Sequence, residues 1–277
     1  MSWPPYDQPA ITPTDLHTDR AHPARIYDYV IGGKTHFAAD RAAAEKMLQA
    51  WPALRSSMRA NRAFMHRATR WLVRHGIHQL LDIGTGIPTS PNVHEVAQTL
   101  YPKARVVYSD NDPIVLAHAR ALLRGTPEGR VDYVQADMRL LPELLAAPSV
   151  RQTLDLTRPV GVLLLAVLQF VNEQQARDIL RGLVQALPPK SYVAVTLPTA
   201  DSAGAAADRV AGHYTEAGIP VVMRTAAQVA DLLTRSGLDI APPGIKLVHR
   251  WNPAPDANTA EADDAVVAMY GGVGLKP

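Results

Sequence analysis

Apolar and polar positions divide the chain into two regimes. Before residue 76 the apolar residues recur at helical spacing. From Gln79 onward short apolar runs alternate with helical stretches. In the first region, Pro23 to Ile31 predicts a short helix with proline near its start, stopped by Gly32-Gly33. An alanine-rich helical pattern resumes at about Ala38 and runs to Gln49, where Trp51-Pro52 breaks it. Leu54, Met58, Phe64, Met65, Ala68 and Leu72 then predict a long helix from about Ala53 to Arg74, ended by Gly76. Residues 1 to about 20 hold several prolines and no sustained period, and read as an extended arm.

In the second region the predicted strands are 79–83, 105–109, 131–135, 160–167 and 191–197. Helices are expected between them at about 92–100, 113–124, 140–147 and 173–187. Repeated strand-then-helix order implies a parallel sheet covered on both faces. Pro113 suits a first helical turn behind Asp112 as N-cap. The uniformly apolar Val160 to Val167 reads as a central strand. A further helix, about 225–236, precedes Gly237. Ile245 to Trp251 and Ala265 to Val273 alternate more cleanly and are expected to form an antiparallel closing pair. The expected architecture is α/β, with residues 1–76 as arm and helical cap of the same domain and 77–277 as a Rossmann-like body.

Composition narrows the setting. Of 277 residues, 47% are hydrophobic and 19% charged, which suits a globular core. The longest apolar run is strand-sized, so no membrane span is expected. The first residues lack a basic-then-apolar secretory pattern. With no cysteine there is no disulfide framework, and a cytoplasmic protein is the expectation. A net charge of +2 gives no reason to expect a nucleic acid or membrane partner. The oligomeric state is left open.

The chemistry concentrates at strand ends. The strand 79–83 runs into Asp82-Ile83-Gly84-Thr85-Gly86, a turn that a ligand can approach closely. The next strand ends at Asp110, at the distance where an acid accepts hydrogen bonds from a ribose diol. The third ends near Asp137-Met138, where a carboxylate can accept from an adenine amino group beside an apolar neighbour. Two cofactors compete. A dinucleotide needs a third glycine and a helix N-terminus for its pyrophosphate. Here that position approximates Thr89, and Pro88 and Pro91 interrupt the turn. S-adenosylmethionine carries no phosphate and fits the loop better. Asp82 would lie near its ammonium, and Arg62 on the long helix could meet its carboxylate.

Several stretches are similar to one family. These are Arg25-Ile26-Tyr27-Asp28-Tyr29-Val30-Ile31-Gly32-Gly33-Lys34, Arg59-Ala60-Asn61-Arg62-Ala63-Phe64, Leu81 to Gly86, Asn92-Val93-His94-Glu95, Asp110-Asn111-Asp112-Pro113 and Tyr270-Gly271-Gly272-Val273-Gly274. They resemble the bacterial S-adenosyl methyltransferase family long described as a domain of unknown function. The resemblance implies a class I methyltransferase fold: a seven-stranded sheet, mostly parallel, with an antiparallel closing strand and N-terminal helices ahead of it. It also implies that Asp82, Gly84, Gly86, Asp110 and Asp137 line the cofactor site. Thr85, Asn111, Met138, Ala166 and Arg62 complete the candidate cofactor set. The family's usual histidine after the fourth strand is Gln169 here.

For a general base the candidates near the cofactor mouth are His36, Tyr29 and Gln169. The expected function is methyl transfer from S-adenosylmethionine to a small molecule. The alternative is a cofactor-binding regulatory or partner-binding protein without turnover. Gly33-Lys34-Thr35 is not a phosphate loop, because Asp28 stands where its glycine is required. Pro4-Pro5-Tyr6 lies far from the fourth strand, against base methylation of DNA. The histidines show no zinc-ligand spacing, and Gly-x-Ser-x-Gly is absent.

Overall fold

A computed structural model describes residues 16–122, 124–253 and 263–277. The expected N-terminal arm therefore lies mostly outside the described residues. Three helices come first: α1 (Pro23–Ile31), α2 (Ala38–Ala50) and α3 (Leu54–Arg74). The body follows in the order β1 (Gln79–Ile83), α4 (Val93–Leu100), β2 (Arg105–Asp110), α5 (Pro113–Leu122), β3 (Arg130–Gln135), α6 (Leu141–Ala146), α7 (Pro148–Thr153), β4 (Gly161–Leu165), α8 (Glu173–Ala186) and β5 (Tyr192–Pro198). Then come α9 (Ala205–Glu216), α10 (Ala226–Thr234), β6 (Asp239–Ile240), β7 (Lys246–Leu247) and β8 (Met269–Leu275). Among the described residues no helix is long and apolar enough to cross a membrane.

The sheet runs β3-β2-β1-β4-β5-β8-β6, with β7 also paired to β8. Strands β1 to β5 are parallel, and β8 is antiparallel to β5 and to β6. Side chains alternate faces along a strand, and the core divides accordingly. Leu81 and Ile83 of β1 pack with Val162, Leu164, Val193 and α8 on one face. Leu80 packs with Tyr108, Leu163 and α3 on the other. The long helix comes very close to β8. A Cβ on Gly271 would lie 2.7 Å from the Phe64 ring, so only glycine lets α3 settle there.

Three expectations are corrected. The fourth strand stops at Leu165, because Ala166 takes a left-handed φ of 54°. The helix expected over 140–147 is found at Leu141–Ala146, and a second short helix, opened by Pro148, follows it. The stretch 245–251 keeps only two residues of antiparallel pairing before Val248–Arg250 coils into a 3-10 turn. The strand expected over 265–273 begins at Met269, behind a 3-10 turn at Asp264–Val266. Helix α9 and strand β6 are additions.

The helical cap is tied to the sheet by buried charge. Asp112 caps α5 by accepting from Ile114 N at 2.9 Å, and its second oxygen lies 3.2 Å from Arg25 Nε on α1. The Arg25 guanidinium reaches on to Asp40, 3.7 Å away and fully buried at the start of α2. Asp40 in turn accepts from His22 N and Phe37 N, both at 2.8 Å. Ser57 of α3 accepts from Ala268 N at 3.0 Å, a second tie to the body. Removing one partner of a buried pair leaves the other charge uncompensated, at a cost of about 3–5 kcal/mol. Arg25→Met is expected to lower the unfolding free energy by about that amount in urea titration. Arg20→Met, at the exposed pair with Asp19, is expected to change it by less than about 1 kcal/mol.

Candidate functional site

The carboxyl ends of β1, β2 and β4 open into a cavity of about 300 Å³, roofed by α1, α3 and α9. The turn after β1 forms its floor. Gly84 and Gly86 have φ of 73° and 68°, and a Cβ on Gly84 would lie 2.4 Å from Val167 Cγ2. All three amide donors of this turn are used within the protein. Gly84 N and Thr85 N donate to Ser109 O at 2.7 and 3.1 Å, and Gly86 N donates to Asp110 Oδ2 at 2.8 Å. None is left to cradle a pyrophosphate, which needs free backbone donors. The lining also carries the carboxylates Asp28, Asp82, Asp110 and Asp137. A phosphate would meet repulsion here, and a ligand with hydroxyls and positive charge would not.

Asp82 is the most perturbed of these acids. It pairs in register with Tyr108 on β2 and Leu163 on β4, so its surroundings are largely apolar. Burial raises its pKa to about 6, against a hydrogen bond from Thr85 Oγ1 at 2.8 Å and the nearby positive charge of Arg62. Burial also raises the pKa of Asp110, although both oxygens accept backbone donors, Gly86 N and Asp112 N at 2.8 and 3.0 Å. Asp137 is held the other way. Arg139 donates to both of its oxygens, at 2.9 and 3.0 Å from Nε, and lowers its pKa.

At the end of β4 the strained Ala166 is clamped from both sides. Its N–H donates to Thr196 Oγ1 at 2.8 Å, and its carbonyl accepts from Gln169 Nε2 at 2.8 Å. On the far wall Arg62 donates to Thr89 O and Pro91 O, fastening the post-turn loop to α3. Asn92 caps α4 there, and its Oδ1 accepts from Thr89 N at 3.0 Å.

The family model of the S-adenosyl methyltransferases matches residues 9–277. The chain belongs to the S-adenosyl methyltransferase family. A DUF574 family protein from Streptomyces avermitilis is 49% identical, covers 95% of this chain and all of its own, and superposes with a TM-score of 0.90. An inferred methyltransferase from Thermobifida fusca is 33% identical, with 95% of this chain and 98% of that one covered and a TM-score of 0.86. Magnesium protoporphyrin IX methyltransferase from Synechocystis, solved with S-adenosylhomocysteine, shares the fold at a TM-score of 0.52 and 12% identity, over 91% of this chain and 93% of that one. None of the curated proteins compared matches the sequence. The cofactor of this methyltransferase is S-adenosylmethionine, and a phosphate-free acidic pocket under a spent glycine turn fits it.

All of the sequence-derived cofactor candidates line this one cavity: Asp82, Gly84, Thr85, Gly86, Asp110, Asn111, Asp137, Met138, Ala166 and Arg62. Of the three candidate bases only Gln169 does, and its nitrogen is committed to Ala166. Tyr29 and His36 are corrected. Tyr27 and Tyr29 are two residues apart on α1, so they cannot share a face. Tyr27 faces the cavity, while Tyr29 donates to Glu45 on α2 and meets the His36 ring edge-on at 4.9 Å. His36 Nε2 lies 3.2 Å from Gly33 O, outside the lining. Sequence reasoning missed Tyr214, Val210 and Ala207, because α9 was not read as a helix. Among the described residues no group of three or more His, Cys, Asp or Glu could hold a metal ion.

The raised pKa of Asp82 fixes a sign. A folded pKa near 6 against an ordinary value of 3.8 means that the folded state holds the proton more tightly. Below pH 3.8 this residue costs nothing. The penalty grows from about pH 4 to 6 and then levels at about 3 kcal/mol. Asp82→Asn keeps an acceptor for Thr85 and removes the charge. Urea unfolding at pH 4 and pH 7.5 is expected to show the variant gaining on the parent by up to about 3 kcal/mol at the higher pH only.

Proposed function

We propose that this methyltransferase alkylates a small-molecule acceptor held between the glycine turn and the helical cap, with neither nucleic acid nor membrane as partner. Its setting is the cytoplasm, which a cysteine-free sequence fits. The observation that carries the reading is the juxtaposition of Asp82, Asp110 and Asp137 around one cavity that the cap and α9 close. When bound, the cofactor supplies an electrophilic methyl carbon on a positively charged sulfur.

The chain's own residues bind and orient. Each oxygen of Asp110 accepts one backbone N–H and keeps a second lone pair for ribose hydroxyls. Asp82, at the end of the adjacent strand, serves the ammonium end. Asp137 and Met138 take the adenine edge and face. Gln169 acts as a positioning residue, holding the Ala166 bend beside the cofactor space. The cap excludes water, and orientation alone can supply on the order of 7–11 kcal/mol of the barrier. A second reading, cofactor binding without turnover, draws on the same observation that Gln169 has its nitrogen engaged and offers no base.

Isothermal titration with S-adenosylhomocysteine is expected to show one site per chain. Asp110→Asn keeps an acceptor for Gly86 N but loses the one for Asp112 N together with the charge offered to the ribose, and is expected to weaken binding about tenfold to a hundredfold. Retained affinity in that variant would overturn the role of Asp110. Binding through Asp82 favours its ionised form, so affinity is expected to rise from pH 5 to 7, with proton release near pH 6 that Asp82→Asn abolishes. Radiolabelled methyl transfer to cell-extract small molecules separates the two readings, since labelled product excludes binding without turnover.

A further inference from the structure

The part of the cavity away from the carboxylates has a different chemistry. Trp51 lines it from the end of α2, Leu54 and Met58 from the start of α3, and Val210 and Tyr214 from α9. Five of the chain's seven methionines line this one cavity: Met58, Met65, Met138, Met223 and Met269. Methionine is flexible and polarisable, packs well against ring edges, and adapts to more than one shape. Two arginines line the cavity: Arg62 Nη2 donates to the carbonyls of Thr89 and Pro91, its other donors lying with the cofactor candidates, and Arg139 pairs with Asp137. Neither belongs to the apolar part of the lining, so the acceptor side has no arginine of its own to receive a carboxylate or phosphate. The lining acids would repel one.

Two polar groups in this lining are incomplete. Asn61 and Gln169 are 96% and 93% buried, and neither Asn61 Oδ1 nor Gln169 Oε1 has a hydrogen-bond partner. Their amide orientations are fixed, because each nitrogen already donates. Asn61 Nδ2 donates to Tyr27 Oη at 3.2 Å, whose own proton goes to Met58 O at 2.8 Å. Gln169 Nε2 donates to Ala166 O at 2.8 Å. Each of these two lining residues therefore carries an unsatisfied buried acceptor. A buried acceptor without a partner costs free energy that a ligand's donor can recover.

We infer that the methyl acceptor is an uncharged, ring-containing, largely apolar molecule with a hydroxyl or N–H donor, received by the free amide oxygens of Asn61 and Gln169. This rests on the proposed function, since it assigns the acceptor side of that site. A site built to pair a hydroxyl discriminates against the analogue that lacks it more sharply than an apolar wall discriminates by size. The amides read the donor, while the methionine and aromatic walls read the ring loosely. The site accordingly takes a set of related acceptors rather than one.

The test uses the full chain saturated with S-adenosylhomocysteine, which permits binding without turnover. Three probes of one ring size are titrated by calorimetry: 1-naphthol, naphthalene and 1-naphthoate. The expected result is that 1-naphthol binds at least tenfold more tightly than either of the others. Equal or tighter binding of 1-naphthoate overturns the exclusion of anions. Equal binding of naphthalene overturns the role of the amides. No binding by any probe to the homocysteine-loaded chain overturns the inference while leaving the proposed function standing. Failure of S-adenosylhomocysteine itself to bind overturns both. Among Asn61→Leu and Gln169→Leu variants that still bind S-adenosylhomocysteine, the preference for 1-naphthol over naphthalene is expected to fall below threefold. Its persistence in such variants overturns the assignment.

Discussion

Two carboxylates, two residues apart at the end of β2, hold the functional half of this molecule together. Asp110 spends both oxygens on backbone amides and so fixes the glycine turn against the neighbouring strand. Asp112 caps α5 and pairs with Arg25, which links α1 to α2 through Asp40. The first acid shapes the floor of the cavity and the second anchors part of its roof. Burying so much charge is expensive. The expense is tolerable because each carboxylate is met by backbone donors or by the buried Arg25 guanidinium. Floor and roof therefore share a single short segment, Asp110-Asn111-Asp112. A shift there moves both sides of the site at once.

The electrostatics of the cavity follow from that economy. Asp82 and Asp110 lie at adjacent strand ends, and both have raised pKa values, chiefly from burial. Arg62 lowers the cost for Asp82, although its own hydrogen bonds go to loop carbonyls. A positive charge brought to these carboxylates would stabilise their ionised forms, so binding there and folding stability would be coupled.

How much of this was legible in the sequence depended on local period and chemistry. The parallel strands were readable because apolar runs of strand length ended in glycine or aspartate. Three acids at three successive strand ends then mark the cavity. The fourth strand was read two residues too long, because nothing in Ala166-Val167 announces a left-handed bend. That bend is imposed by Thr196 and Gln169, partners brought by the tertiary fold. Helix α9 was invisible for a different reason. Ala205-Ala206-Ala207 favour a helix, but with Gly212 they leave it a weak apolar stripe, and packing against the cap adds what periodicity does not show. His36 and Tyr29 were chosen for reactivity, and the rotation of α1 excluded them. That same rotation turned Tyr27 inward.

The placement of β8 bears on how the protein comes together. This strand follows β6 and β7 in the chain, yet it lies between β5 and β6 in the sheet. Until it arrives, β5 exposes an open hydrogen-bonding edge and β6 has no neighbour to join. The register Tyr192 to Leu275 spans more than eighty residues, as does Leu80 to Gly161 between β1 and β4, so this closure is among the least local steps in assembly. During that interval β5 is a template for pairing with another unfinished copy. Insertion of β8 completes the sheet and also removes its principal aggregation hazard.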